Sequence, residues 1–267
     1  MRQKIIKILI MVFFTFTCNP ANASSLKNNN TNNPIPILIY HSVTDNNFTS
    51  CENMFLTPDK FNKQLEMIIQ QGFTPIFANE IKSALMYKNP IILTFDDGYI
   101  DNYKIVYPII KKQHVKITIF IITDFLNREH YLTSDYVREM SNSGLVSIQS
   151  HTVSHKRLST LDDTKLEKEL KDSKSAILNL VKAEPLSIAY PYGSINENQL
   201  KLVSKYYQFG FTTTSGVMSN GNNNYLIKRS QVNKDTDALK LYIYLNSFKS
   251  NRDLFMYPYL AGVYSNK

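Results

Sequence analysis

Two hydrophobic rhythms alternate along this chain. Short, mainly apolar runs recur at Ile35–His41, Ile91–Leu93, Val115–Thr123, Leu145–Ser150 and Leu186–Ala189. Runs of that length read as strands covered on both faces, the parallel-sheet type. Between them, apolar residues recur at helical spacing. Phe61, Leu65, Ile68 and Ile69 define one helix, with Thr57 as N-cap, Pro58 in its first turn and Gly72 as its stop. Leu166, Leu170, Ile177 and Val181 define a longer one. Helices are also expected over Asn79–Tyr87, Tyr103–Lys112 (with a bend or late start at Pro108), Ser134–Ser143, Asn198–Tyr207 and Thr236–Ser247. Extended segments are expected over Phe73–Phe77, Phe209–Thr213 and Ile227–Val232.

Strand and helix in alternation, joined by short connections, imply an α/β fold: a parallel sheet or barrel with helices outside. Residues 35–250 contain neither a repeat nor a linker and read as a single domain. Residues 24–34 are a polar, low-complexity linker, and 251–267 form a tyrosine-rich tail whose structure stays open.

The beginning of the chain has a different pattern. Arg2, Lys4 and Lys7 lead into the apolar run Ile8–Phe16, and Ala21-Asn22-Ala23 follows as a small-residue cleavage site. That is the layout of a secretory signal peptide over residues 1–23, with too short an apolar core for a comfortable membrane span. Export to a periplasmic, cell-surface or secreted location is expected. An uncleaved anchor and lipidation at Cys18 are the alternatives. Cleavage leaves Cys51 as the one cysteine, so no internal disulfide is available. It also removes three cations and no acid, lowering the net charge from +8 to +5. No basic cluster interleaved with aromatics is present, which argues against nucleic acid as a partner.

The chemistry concentrates at strand ends. The run Pro90–Phe95 stops at Asp96-Asp97-Gly98-Tyr99. Unpaired charges cannot continue into an apolar interior, so both carboxylates belong at the strand's carboxyl end, where α/β folds bind ligands. Alternation along a strand points neighbours differently, so Asp96 and Asp97 can take different tasks; a plain Asp-Gly turn accounts for one Asp only. His151-Thr-Val-Ser-His155 directly follows another apolar strand. Set on a helical turn, the two imidazoles would share one face and could bind one ion; solvent-facing or capping histidines are the alternative. Two histidines and a carboxylate make a common catalytic zinc triad, and a second carboxylate beside it can act as base.

Thr94–Tyr99, His151–His155 and Ala189-Tyr-Pro-Tyr-Gly193, in that order and spacing, resemble the first three motifs of the polysaccharide deacetylases, the NodB-homology domain of carbohydrate esterase family 4. Ile39-Tyr-His-Ser-Val43 and Tyr225–Arg229 are similar in particular to poly-N-acetylglucosamine deacetylases. The resemblance implies a distorted, incomplete (β/α) barrel and an exported hydrolase that removes N-acetyl groups from a glycan polymer, with peptidoglycan or chitooligosaccharides as alternative substrates. A glycan-binding domain with weak catalysis is the other reading. The resemblance further implies a divalent metal, Zn2+ first and Co2+ or Ni2+ next, no nucleotide cofactor and a monomer. By motif, Asp96 matches the general base, Asp97, His151 and His155 the metal ligands, and Tyr192 the residue whose backbone N–H holds the oxyanion. Tyr190, Pro191 and Tyr192 are expected on the substrate side.

Two departures stand out. Ala189 occupies the position of an arginine that in many members pairs with the catalytic aspartate, and Arg229 is the expected substitute, grouped with the substrate-side residues. No histidine follows His155, so the family's late acid is missing. His41, ending the first strand on the same side as Asp96, is the expected replacement, with a histidine bonded to backbone as the alternative.

Overall fold

The computed structural model describes residues 34–45, 53–219 and 221–248, which all fall in one compact unit spanning Asn33–Lys267. The expected signal peptide, most of the linker and the tail lie outside the described residues.

Nine strands form one curled sheet. β1 (Ile35–Tyr40), a short pair β2 (Ser42–Val43) and β3 (Phe55–Leu56), helix α1 (Pro58–Gln70) and β4 (Thr74–Ile76) come first. β5 (Pro90–Phe95), α2 (Tyr107–Gln113), β6 (Ile117–Ile121), α3 (Ser134–Asn142), β7 (Val146–Ser150), α4 (Asp163–Val181) and β8 (Ser187–Ala189) follow in strict alternation. The chain then adds α5 (Leu200–Val203), β9 (Phe209–Phe211), β10 (Val217–Met218), β11 (Ser230–Gln231) and α6 (Ala238–Asn246). The sheet runs β10-β1-β5-β6-β7-β8-β9, with β4 beside β5 and β11 beside β1. β1, β5, β6, β7, β8 and β9 are parallel, so their carboxyl ends gather on one rim. This is the distorted, incomplete (β/α) barrel that the family resemblance implied.

Strand alternation sorts the core. Ile91, Leu93 and Phe95 face outward with Ile117, Ile119 and Ile121 into the layer shared with the helices. Ile92 and Phe120 face inward with Ala189, Phe211 and Ile227. Burying such side chains contributes about 1.5–3 kcal/mol each.

The segment 227–231 nearly closes the ring. Ile227 bridges Phe211 of β9, while Ser230 and Gln231 pair with Leu38 and Ile39 of β1. The expected strand Ile227–Val232 is therefore shorter, because it straps one sheet edge to the other instead of lying along either. Arg229, at the middle of the strap, is carried into the barrel.

Pro108 is accommodated by a late start. Residues 102–106 form a wide π-helical turn, and α2 begins at Tyr107, which puts Pro108 in the first turn, where a missing N–H costs nothing. Two-residue strands such as β2, β3 and β10 are too short to leave a periodic signal.

Candidate metal centre

Asp96 extends the inward series Ile92 and Thr94 to the rim of β5 and is only 2% exposed. Arg229, fully buried, grips it with both arms of the guanidinium: Nη1 to Oδ1 at 2.8 Å and Nη2 to Oδ2 at 2.8 Å. Arg229 also donates to Thr94 Oγ1 and to the Thr212 carbonyl, so its charge is held from three sides. Burial pushes the Asp96 carboxyl up, but the Arg229 guanidinium, helped by the neighbouring histidines, outweighs burial and leaves it below the ordinary carboxylate range. Asp96 thus stays ionised in an apolar setting.

Asp97 turns away from this pair. Its φ of 72° lies in the left-handed region, as does that of Gly98 at 76°, and its carboxylate meets the histidine pair instead of Arg229. A side chain on Gly98 would also press on Ile121, 3.1 Å from the added carbon. Asp97 Oδ1 meets His151 Nε2 at 3.4 Å and His155 Nε2 at 3.3 Å.

The histidine pair is not on a helical turn, contrary to the condition under which sequence spacing would align it. Residues 151–157 form an irregular loop with left-handed Thr152 and His155. Local polar groups set its shape: Ser150 Oγ accepts from Thr152 N–H, and Thr152 Oγ1 accepts from His155 N–H. Glu169 of α4 contributes most. Its carboxylate accepts the N–H groups of Val153 and Ser154, both at 2.9 Å, and the Ser154 hydroxyl.

These residues fit a divalent ion. The three ligand atoms of Asp97, His151 and His155 lie within 4.8 Å of one another. His151 Nδ1 donates to the Ala189 carbonyl at 2.8 Å, which fixes the ring and directs Nε2 toward the Asp97 carboxylate, the atom that would bind an ion once its proton is released. Burial pushes the Asp97 carboxyl up, but hydrogen bonds to His151 and His155 outweigh it, so that it lies well below the usual range. A deprotonated carboxylate and neutral imidazoles are the ligand forms that zinc and similar ions take.

A cavity of about 360 Å³ opens over this cluster. Asp96, Asp97, His151 and His155 line its floor, and His41 one wall. Tyr99 and Tyr131 stack with ring centroids 5.3 Å apart, Phe125 packs edge-on to Tyr131, and Tyr192 stands opposite among the lining residues. Tyr192 is 53% exposed, with its ring 4.8 Å from that of His155. His41 Nδ1 is buried without a hydrogen-bond partner. Burial lowers the His41 pKa, with Asp97 and Asp96 offsetting part of the effect.

Three substrate-side expectations need correction. Tyr190 is completely buried, its hydroxyl donates to the Tyr225 carbonyl, and it occupies space that a side chain at Gly210 would need. Pro191 is buried as well. Neither presents a face to the cavity. Arg229 sits beneath Asp96, where it meets the expected pairing but has no surface for a sugar. Tyr99, Tyr131, Phe125 and Glu169 went unassigned from sequence. A carboxylate one residue from Leu170 on the apolar face of α4 is the signal that could have found Glu169.

The family model for polysaccharide deacetylases matches residues 86–210, which hold both motifs of the cluster. The Bacillus subtilis protein YxkH, assigned to the same family, is 33% identical over 221 residues, covering 80% of this chain and 77% of its own. The chain belongs to the polysaccharide deacetylases. It is accordingly a hydrolase of the class that acts on N-acetyl amide bonds. The poly-beta-1,6-N-acetyl-D-glucosamine N-deacetylase of Staphylococcus aureus (strain MRSA252) is 26% identical to this deacetylase over 227 residues, covering 74% of this chain and 78% of its own. Among solved structures, the Streptococcus pyogenes deacetylase PplD in complex with acetate superposes with a TM-score of 0.74 at 30% identity, covering 79% of this chain and 98% of its own.

Proposed function

We propose that this protein is an exported, metal-dependent N-deacetylase of N-acetylglucosamine-containing polysaccharide, of the poly-N-acetylglucosamine type. The observation that carries this reading is the pairing of Asp96, ionised on a buried arginine, with the ligand cluster Asp97, His151 and His155 on one cavity floor.

A divalent ion held by Asp97, His151 and His155 would polarise the acetamide carbonyl and make water nucleophilic near neutral pH. Asp96 then accepts the proton of the attacking water. Arg229 keeps Asp96 charged and aimed for that purpose. The backbone N–H of Tyr192 stabilises the charge that develops on the carbonyl oxygen. His41, on the cavity wall, is the residue placed to pass a proton to the departing amine as the C–N bond breaks, giving acetate and a free amine on the polymer. The rings of Tyr99, Tyr131 and Tyr192 offer aromatic faces to the apolar side of a sugar. The similarity to the staphylococcal enzyme supports the β-1,6-linked polymer, and the N-terminal signal layout supports export.

The test is acetate release from β-1,6-linked N-acetylglucosamine oligomers, chitooligosaccharides and peptidoglycan, with metal-loaded and chelator-treated protein. Acetate from none of them contradicts the reading. A strong preference for peptidoglycan replaces the substrate and keeps the chemistry.

A further inference from the structure

The segment that carries His41 is gripped from two sides. On one side lies β3: Ser42 N–H donates to the Met54 carbonyl at 3.4 Å, and Thr44 N–H to the Leu56 carbonyl at 2.9 Å. The other side is held by two residues outside the metal cluster. The His41 carbonyl accepts from Asn102 Nδ2 at 3.0 Å. The Asp101 carboxylate accepts the Val43 N–H and, at 2.5 Å, the Ser42 hydroxyl. Asn102 Nδ2 also donates to Asp101 Oδ1 at 2.8 Å, which joins the two holds into one.

Asp101 and Asn102 are both buried, the first 2% exposed and the second not at all. The partners of the carboxylate are a hydroxyl, a backbone N–H and an amide, none of them a cation. Burying a carboxylate on neutral partners costs stability that a neutral side chain would spare. Titratable groups kept at such a cost concentrate at functional sites.

His41 has need of this grip. A working imidazole is ordinarily oriented by a hydrogen bond at the nitrogen turned away from its target. His41 Nδ1 is buried with no partner among the described residues, so no bond at that nitrogen sets the ring. The backbone beneath the ring is what is fixed instead. Residues 96–102 thereby supply the candidate base, one candidate metal ligand and both groups that hold the segment of His41. One short stretch of chain ties these parts together.

We infer that Asp101 and Asn102 are positioning residues, which fix the backbone at His41 and through it the direction of the imidazole. The inference rests on the proposed role of His41 as the source of the leaving amine's proton.

The test follows acetate release from a β-1,6-linked N-acetylglucosamine pentamer by the metal-loaded full chain, in wild-type and His41→Ala backgrounds. Asn102→Ala removes the donor to the His41 carbonyl. Asp101→Asn sets a donor where the carboxylate accepted; it keeps the volume and carries the test if Asn102→Ala does not fold. In the wild-type background kcat is expected to fall by about tenfold to a hundredfold in Asn102→Ala and by about threefold to tenfold in Asp101→Asn. KM and zinc affinity are expected to stay within about twofold of wild type, since neither residue touches substrate or ion. In His41→Ala, where the proton donor is already gone, either change is expected to cost less than about twofold. A residue that only supports the fold lowers both backgrounds alike. Equal losses in the two backgrounds, or an unchanged kcat, would overturn the positioning role and leave the deacetylase intact. A His41→Ala protein as fast as wild type would overturn the role of His41 and the positioning with it. No acetate from wild type would overturn the deacetylase itself.

Discussion

Arg229 and Asp96 are 133 residues apart in sequence and meet through two 2.8 Å contacts inside the barrel. The arginine arrives on the strap 227–231, the segment that touches both edges of the sheet. It fills the role left open by Ala189. Arg229→Ala leaves a buried carboxylate unpaired, and a stability loss of about 3–5 kcal/mol is expected from urea unfolding. Burial then acts on Asp96 unopposed by the guanidinium and raises its pKa. A base works only when ionised, so the acid limb of kcat/KM moves to higher pH. An unchanged pH–rate profile would show that Arg229 does not support the base.

Glu169 shapes the loop that carries both histidines. Glu169→Gln keeps the size but replaces one acceptor oxygen by a donor facing groups that donate. Supporting partners of metal ligands typically account for about 10- to 100-fold in affinity, and a loss in that range is expected by titration with zinc. Affinity equal to wild type would make Glu169 a fold residue only.

For His41, the unpartnered Nδ1 argues against a ring bonded to backbone. Replacement by alanine is expected to cut turnover by about 10²- to 10⁴-fold, the usual contribution of a general acid, with zinc affinity unchanged. Full activity would remove His41 from the mechanism.

Much of this architecture was legible from residue pattern. Uninterrupted apolar runs identified the parallel strands, and charges set directly behind them pointed to the rim where the candidate site lies. The π-helical turn before Pro108 realises a late start that the fixed proline ring demands. What escaped depends on long-range closure. Sequence could nominate Arg229 but not its burial, because the strap's path is set by two sheet edges far apart in the chain. Tyr190 and Tyr192 look alike in sequence; left-handed backbone at Tyr192 puts one ring out and leaves the other in the core. The histidine spacing suggested a helix, whereas Glu169 and two left-handed residues produce the same convergence from a loop.

Asp101 offers a stability measurement independent of substrate. It accepts from the Ser42 hydroxyl and from Asn102, whose amide also holds the His41 carbonyl at 3.0 Å. Burial outweighs these contacts and pushes the Asp101 carboxyl up from 3.8 to about 6. The folded state therefore holds this proton more tightly than the unfolded chain. Its contribution is complete below the unfolded pKa and is lost as pH rises through about 6. The stability of Asp101→Asn relative to wild type should thus improve by about 2 kcal/mol between pH 4 and pH 7.5. Urea unfolding of both proteins at the two pH values measures it, and a constant difference would refute the shift.

Acetate release from β-1,6-linked N-acetylglucosamine oligomers, followed in wild type and Asp96→Asn with and without chelator, tests the proposed chemistry most directly. Wild type should release acetate, lose that activity to the chelator and regain it with zinc, cobalt or nickel. Asp96→Asn should bind the ion and turn over about 10²-fold or more slowly. Acetate release that survives complete metal removal, or an Asp96→Asn protein as fast as wild type, would contradict a metal-dependent deacetylase with Asp96 as its base.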